Sequence, residues 1–174
     1  MAALPRPTVL LVPALFLAAL LLAACGAQAG GSTASPASPA PSAASVRLDL
    51  GNTLPTTASG QRLGLWYVSI PAGQSLVAHV HPGWQIARVV AGTLTYTIIT
   101  GKATVIRANG ASETHGAGET ITIATGDTIV ENPDLQHYGA NNGTQTVEIY
   151  ASSLFTDGQP AAIALPSASP AASR

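Results

Sequence analysis

The sequence is poor in the features that hold a chain together by covalent bridge or by charge. Cys25 is its only cysteine, so no intramolecular disulfide can form. Charged residues make up 9% of the chain, seven basic against eight acidic, and Lys102 is the only lysine. No basic cluster or stripe is present. This excludes a nucleic-acid partner, because phosphate binding needs grouped Lys and Arg. Aromatic residues are also scarce, at 5%. With few ion pairs and no disulfide, a folded domain here depends on its apolar core, and on a metal if one is bound.

The longest apolar run, Val9 to Leu22, lies at the N-terminus behind Arg6. It is interrupted by Pro13 and is short for a ~30 Å hydrocarbon core, so it reads as the h-region of a secretory signal. It ends in Leu22-Ala23-Ala24-Cys25-Gly26, which resembles the bacterial lipobox. There the cysteine is lipidated and becomes the mature N-terminus. The resemblance implies residues 1–25 as signal and lipobox, Cys25 as the lipidation site, membrane lipid as a partner, and an extracytoplasmic location at the cell membrane or surface. Loss of Arg6 leaves six basic against eight acidic residues, a net charge of −2.

Residues 26–45 are rich in Ala, Ser, Gly and Pro and show no periodic apolar face. Such a segment cannot bury enough surface to offset its ordering entropy, and it is expected to be a disordered linker. Residues 158–174 share that composition and are expected to be a disordered tail. The remaining span, 46–157, is roughly 110 residues, enough for one compact domain.

That span reads as all-β. Apolar residues alternate with polar ones in Thr93-Leu94-Thr95-Tyr96-Thr97-Ile98, Glu119 to Ile123 and Gln145 to Tyr150, the period of a half-buried strand. Further strands are expected over Arg62 to Ile70, Ser75 to Val80, Trp84 to Ala91, Lys102 to Arg107 and Asp127 to Glu131. Gly- and Pro-containing turns punctuate them, among them Pro82-Gly83, Ala91-Gly92 and Thr125-Gly126. Many short strands divided in this way argue for a sandwich or a closed barrel.

Of the four histidines, His79 and His81 stand two apart on an expected strand, so their side chains leave the same face. Gln85 shares their parity across the Pro82-Gly83 turn. A third imidazole from another strand would complete a metal-binding face, although ligand type alone does not select among the transition metals.

Gly73, His79-Val80-His81, Gln85 and Gly92, in that spacing, resemble the first motif of the cupin superfamily. Gly126-Asp127, Pro133, His137 and Asn141 are similar to the second. The resemblance implies a single jelly-roll barrel, or double-stranded β-helix. It also implies His79, His81 and His137 as ligands of one divalent transition metal (Mn, Fe, Ni, Cu or Zn). Gln85 stands where the family usually has Glu, so it is either a fourth ligand through its carboxamide oxygen or a hydrogen-bond partner of an imidazole or bound water. Being neutral, it cannot act as a base. Pro133 falls one residue late, and Leu135 sits near the usual Gly.

Other residues carry plainer expectations. His115 is expected in a solvated loop. Glu131, six residues before His137, either replaces the missing carboxylate or occupies a surface or strand-end position. Trp84 and Tyr138 flank the histidines and either line the pocket mouth or pack in the core. Gly73, Gly92, Gly126 and Asn141 are read as turn-makers.

The fold alone does not give a function, since barrels of this kind host many. No catalytic residue is assigned. The first expectation is a tethered module that binds a metal and a small molecule. The second is a metal-dependent dioxygenase acting on a small organic substrate. The third is a metal-free structural or partner-binding barrel. Pairing into a homodimer through sheet edges is left open.

Overall fold

The computed structural model describes residues 43–166. The signal segment with Cys25, the linker up to residue 42 and residues 167–174 lie outside the described residues. Twelve strands follow one another: β1 (Val46–Thr53), β2 (Gln61–Ile70), β3 (His79–Val80), β4 (Gly83–Ala91), β5 (Thr93–Thr100) and β6 (Lys102–Ile106), then β7 (Ser112–Gly116), β8 (Thr120–Ala124), β9 (Thr128–Glu131), β10 (Gln136–Ala140), β11 (Val147–Thr156) and β12 (Ile163–Ala164). No helix occurs among the described residues. The all-β class expected from the alternation is what the structure shows.

The strands form two antiparallel sheets, one in the order β1-β2-β11-β4-β9-β6-β7 and the other in the order β12-β3-β10-β5-β8. Alternation sets what lies between them. Val147, Ile149, Ala151 and Phe155 of β11, Ala87 and Val89 of β4, and Leu94, Tyr96 and Ile98 of β5 are all buried. Their neighbours in sequence turn outward, as a period of two requires. The outward face of the larger sheet carries Leu63, Leu65, Trp84, Ile86 and Tyr150, all substantially exposed.

Turns hold the register. Gly92 has φ +72° between β4 and β5, and a Cβ there would lie 2.6 Å from the Thr146 carbonyl oxygen, so this position accepts only glycine without strain. Asn141 is fully buried; its amide nitrogen donates to the carbonyls of Ile70 (2.8 Å) and Gln145 (2.7 Å). Asp127 accepts from the backbone N–H groups of Ala108 and Ala124 and from Arg107. Asn141 and Gly92 thus hold turns, as read from the sequence.

Two expectations are corrected. His115 is not in a loop. It lies in β7, where its ring bonds Glu119 at 2.8 Å and Glu113 at 3.2 Å. The segment after Asp157 is not unstructured as far as it is described. Ile163 and Ala164 pair with Val80 and His79, and Leu165 N–H donates to the Ala78 carbonyl at 2.9 Å. Main-chain hydrogen bonds order this stretch, and they leave no mark in its composition.

Candidate metal centre

β3 is only two residues long, yet with His81 beside it the chain sends two imidazoles inward on either side of Val80. His79 pairs in register with His137 on β10, which brings the third imidazole across from the first. The ring centroids are 4.4 Å (His79–His137), 4.8 Å (His79–His81) and 5.2 Å (His81–His137) apart. One nitrogen from each ring lies within 4.8 Å of the others. All three side chains are buried. Phe155 stacks on His81 and Tyr96 on His137, so the rings are fixed by packing.

The outer nitrogens settle the tautomers. Nδ1 of His79 faces the Val77 carbonyl at 2.7 Å, Nδ1 of His81 the Ala161 carbonyl at 2.7 Å, and Nδ1 of His137 the Leu135 carbonyl at 3.3 Å. A carbonyl can only accept, so each Nδ1 carries the proton and each neutral ring presents a bare Nε2 lone pair. Burial, together with the neighbouring His137, lowers the pKa of His79 from 6.5 to about 4. Burial also lowers that of His137, against the pull of Glu131. These two rings are therefore neutral at physiological pH.

Glu131 completes the cluster. It ends β9, so the strand-end expectation holds for its place in the chain. It is only 3% exposed, however, so the surface reading is corrected. Its Oε2 lies 3.2 Å from His81 Nε2 and its Oε1 3.3 Å from His137 Nε2. Tyr96 donates its hydroxyl to Oε1 at 2.8 Å, and Gln85 donates its amide nitrogen to Oε2 at 2.6 Å. Burial alone would raise the pKa of Glu131. The charge that His137 or His81 carries whenever either ring is protonated, with the hydrogen bond from Tyr96, outweighs burial and lowers the group below the usual carboxylate range. Burial, then the adjacent Glu131 charge, pushes the Tyr96 phenol up, so it remains a donor.

Gln85 points inward on β4, opposite Glu131 in register, but it does not offer a metal ligand. The atom facing the carboxylate must be the amide nitrogen, since two oxygens at that distance would repel. The same nitrogen lies 3.1 Å from His81 Nε2. An amide nitrogen has no lone pair to give a metal, so the hydrogen-bonding alternative describes this side chain. Trp84 and Tyr138 are also corrected. Each is next in sequence to an inward residue and so turns the other way. Trp84 is 54% exposed on the outer face, Tyr138 is half-buried, and neither lines the cavity.

The residues present fit a divalent transition metal. One nitrogen from each of the three imidazoles lies within 4.8 Å of the others, and the Glu131 carboxylate lies 3.2 Å from that of His81 and 3.3 Å from that of His137. Around an ion with bonds of about 2.0–2.2 Å, neighbouring ligand atoms lie about 3 Å apart; the two carboxylate-to-imidazole distances are in that range, and the imidazole nitrogens, within 4.8 Å of one another, would draw in around an ion. Each imidazole donates its far N–H to a backbone carbonyl, as metal-binding histidines do. A cavity of about 210 Å³ opens beside the cluster, walled mainly by apolar side chains such as Val68, Leu76, Leu94, Ile129 and Ile149, with Arg47 as its one cationic side chain.

No protein-family model matches the chain, and no curated protein sequence matches it. Solved structures do. An oxalate oxidase in complex with the substrate analogue glycolate aligns at 18% identity over 74% of this chain, with a TM-score of 0.50. A second oxalate oxidase structure gives the same values. A cupin 2 domain-containing protein from Halorhodospira halophila aligns at 10% identity over 71% of this chain and 72% of its own, with a TM-score of 0.46. The chain spans 58% of the length of the oxalate oxidase it matches. At such identities the likeness is one of architecture, and the architecture is the all-β barrel of the cupin fold.

Proposed function

We propose that this protein is a lipid-anchored, extracytoplasmic module that binds one divalent transition metal and holds a small molecule in the adjoining cavity. His79, His81 and His137 would ligate through Nε2. Glu131 would supply the negative charge, the first of the two alternatives that the sequence left open for it. One observation carries the proposal: all three Nδ1 hydrogens are already given to backbone carbonyls, so the bare nitrogens and a buried carboxylate are left facing one another. That arrangement is repulsive unless a cation or protons share it. The anchor rests on Cys25 in its lipobox-like setting and on a composition that suits residues 26–45 to a flexible tether.

A second reading, metal-dependent oxygen chemistry on a small organic substrate, gains from Glu131. The absence of a carboxylate at position 85 argued against it, and a carboxylate reaches the cluster from the next strand instead. Bound metal would polarise a ligand entering from the cavity.

Elemental analysis of the purified protein is expected to give about one metal per chain. His79→Ala and His81→Ala should each abolish loading, and His115→Ala should leave it intact. Unchanged loading in the first two variants overturns the proposal. Oxygen uptake by Fe-, Mn-, Cu- and Ni-loaded protein, with a phenolic and diketone panel, separates the second reading from the first. Mass spectrometry of the mature N-terminus tests lipidation at Cys25.

A further inference from the structure

We infer that the C-terminal segment Gln159–Leu165 is a working part of the metal site, acting as a clasp that aims His81 and closes one wall of the cavity. The inference rests on the metal-binding reading above and goes beyond it, because it assigns a role to a stretch whose composition predicts none.

β3 carries the His-x-His pair but is two residues long and meets β10 at the single pair His79–His137. Among the described residues its other edge is covered by β12, through Val80–Ile163 and His79–Ala164. Leu165 N–H to Ala78 extends that ladder by one bond. The same segment supplies the Ala161 carbonyl that accepts from His81 Nδ1, 80 residues away in sequence. It is the only one of the three orienting carbonyls that does not come from two residues before its own histidine. His79 and His137 therefore carry their orienting acceptor on their own strand, whereas the aim of His81 depends on a segment brought in from the end of the chain. Ala161 packs against the core and Ala162 lines the cavity. At the segment's start, Arg62 donates to the Gln159 carbonyl at 3.2 Å.

The barrel does not need this segment for its sheets. β11 ends at Thr156, and the turn after it is tied down by Thr156 N–H to Pro82 and Asp157 N–H to Gly60. A stop after Gly158 retains the residues of β1–β11 and every metal-facing side chain. It removes the His81 acceptor and uncovers β3. Losing an outer partner of a ligating histidine typically weakens metal binding about 10–100-fold.

The test compares the full-length chain with the chain stopped after Gly158, and with Leu165→Pro, which deletes the N–H donated to Ala78 and fixes the backbone there. Cobalt(II) and zinc affinities are measured, together with the imidazole ¹⁵N–¹H spectrum in the presence of chelator. The expected result is a 10–100-fold weaker affinity in the truncated chain and a smaller loss in Leu165→Pro. In the spectrum the His81 Nδ1–H signal should shift or vanish, while those of His79 and His137 persist. A peptide of residues 157–166 added in trans should restore both readouts. Equal affinity and an unchanged His81 signal in a folded truncated chain overturn the inference; if truncation unfolds the barrel, Leu165→Pro decides in the same way. Should the full-length chain fail to take up metal, the metal reading falls. The His81 signal in chelator would still decide whether the clasp sets the ring.

Discussion

Lowering the pH on chelated protein should unfold this barrel from its metal centre outward, and the size of the effect follows from His79. Its folded pKa is lowered from 6.5 to about 4, first by burial and then by the neighbouring His137. The unfolded chain takes up a proton near pH 6.5, and the folded chain refuses it until about pH 4. Stability is therefore complete above pH 6.5 and declines as the pH falls toward 4. At about 1.4 kcal/mol per pH unit for one proton, His79 alone accounts for about 3 kcal/mol, a large share of the 5–15 kcal/mol typical of a domain. His137, also lowered by burial, acts in the same direction. The depressed carboxylates Glu131, Glu113 and Glu119 lose their contributions only below about pH 4.5. His115 is raised, chiefly by its hydrogen bond to Glu119; its contribution is present below pH 6.5 and lost as the pH rises through its folded pKa. The interval from 6.5 to 4.5 thus belongs to the buried imidazoles. Urea unfolding followed by circular dichroism, with chelator present, should show a loss of about 2–3 kcal/mol between those limits. His79→Asn, whose side chain still reaches the Val77 carbonyl, should flatten the slope. A stability that stays level or rises on acidification, or a slope unchanged in His79→Asn, would refute the argument.

Three further outcomes are expected. Glu131→Gln should weaken metal binding at least 10-fold; unchanged affinity would place the carboxylate outside the metal's reach. Gly92→Ala should cost about 2 kcal/mol in urea unfolding, because its φ of +72° and a Cβ 2.6 Å from the Thr146 carbonyl oxygen leave alanine no room. Ser153→Ala removes the acceptor of the Trp66 indole N–H, a 2.8 Å bond between buried side chains. It should cost about 1–3 kcal/mol and change the near-ultraviolet circular dichroism of the tryptophan.

Legibility in the sequence followed burial. The strands that were expected, such as β5 and β8 with their Leu94, Tyr96, Ile98 and Ile123, bury one face and write that face as an apolar period of two. β7, Ser-Glu-Thr-His-Gly, has no apolar residue to mark it and is held by pairs such as Arg107–Glu113 and His115–Glu119. β10 carries its inward positions as His137 and Gly139, so its period is hidden by the site itself. β1 does alternate, with Val46 and Leu48, but that face is exposed and packs nothing that would confirm it. β12 is specified by main-chain hydrogen bonds and by what it covers, neither of which composition records. For Trp84 and Tyr138 the signal was available: a residue adjacent to an inward ligand on a strand must face the other way.

Glu131 was one of two alternatives in the sequence, and the fold was needed to choose between them. In Thr128-Ile129-Val130-Glu131 both central residues are apolar, so alternation does not say which face the glutamate shares. The inward position of Gln85 was readable from its parity with His81, but its chemistry was not: a glutamine in place of a carboxylate looks like a lost ligand. Register resolves both residues at once. Gln85 and Glu131 are cross-strand partners on β4 and β9, and opposed side chains in an antiparallel pair stand within reach of each other. The carboxylate sits one strand over from where the motif places it. The glutamine donates to it at 2.6 Å, which a glutamate at 85 could not do while both acids were ionised. Restoring Glu at position 85 would therefore set two buried carboxylates against each other, and one of them would have to take a proton or be expelled. The amide at position 85 and the acid at position 131 are thus a matched pair, and neither is a neutral substitution without the other.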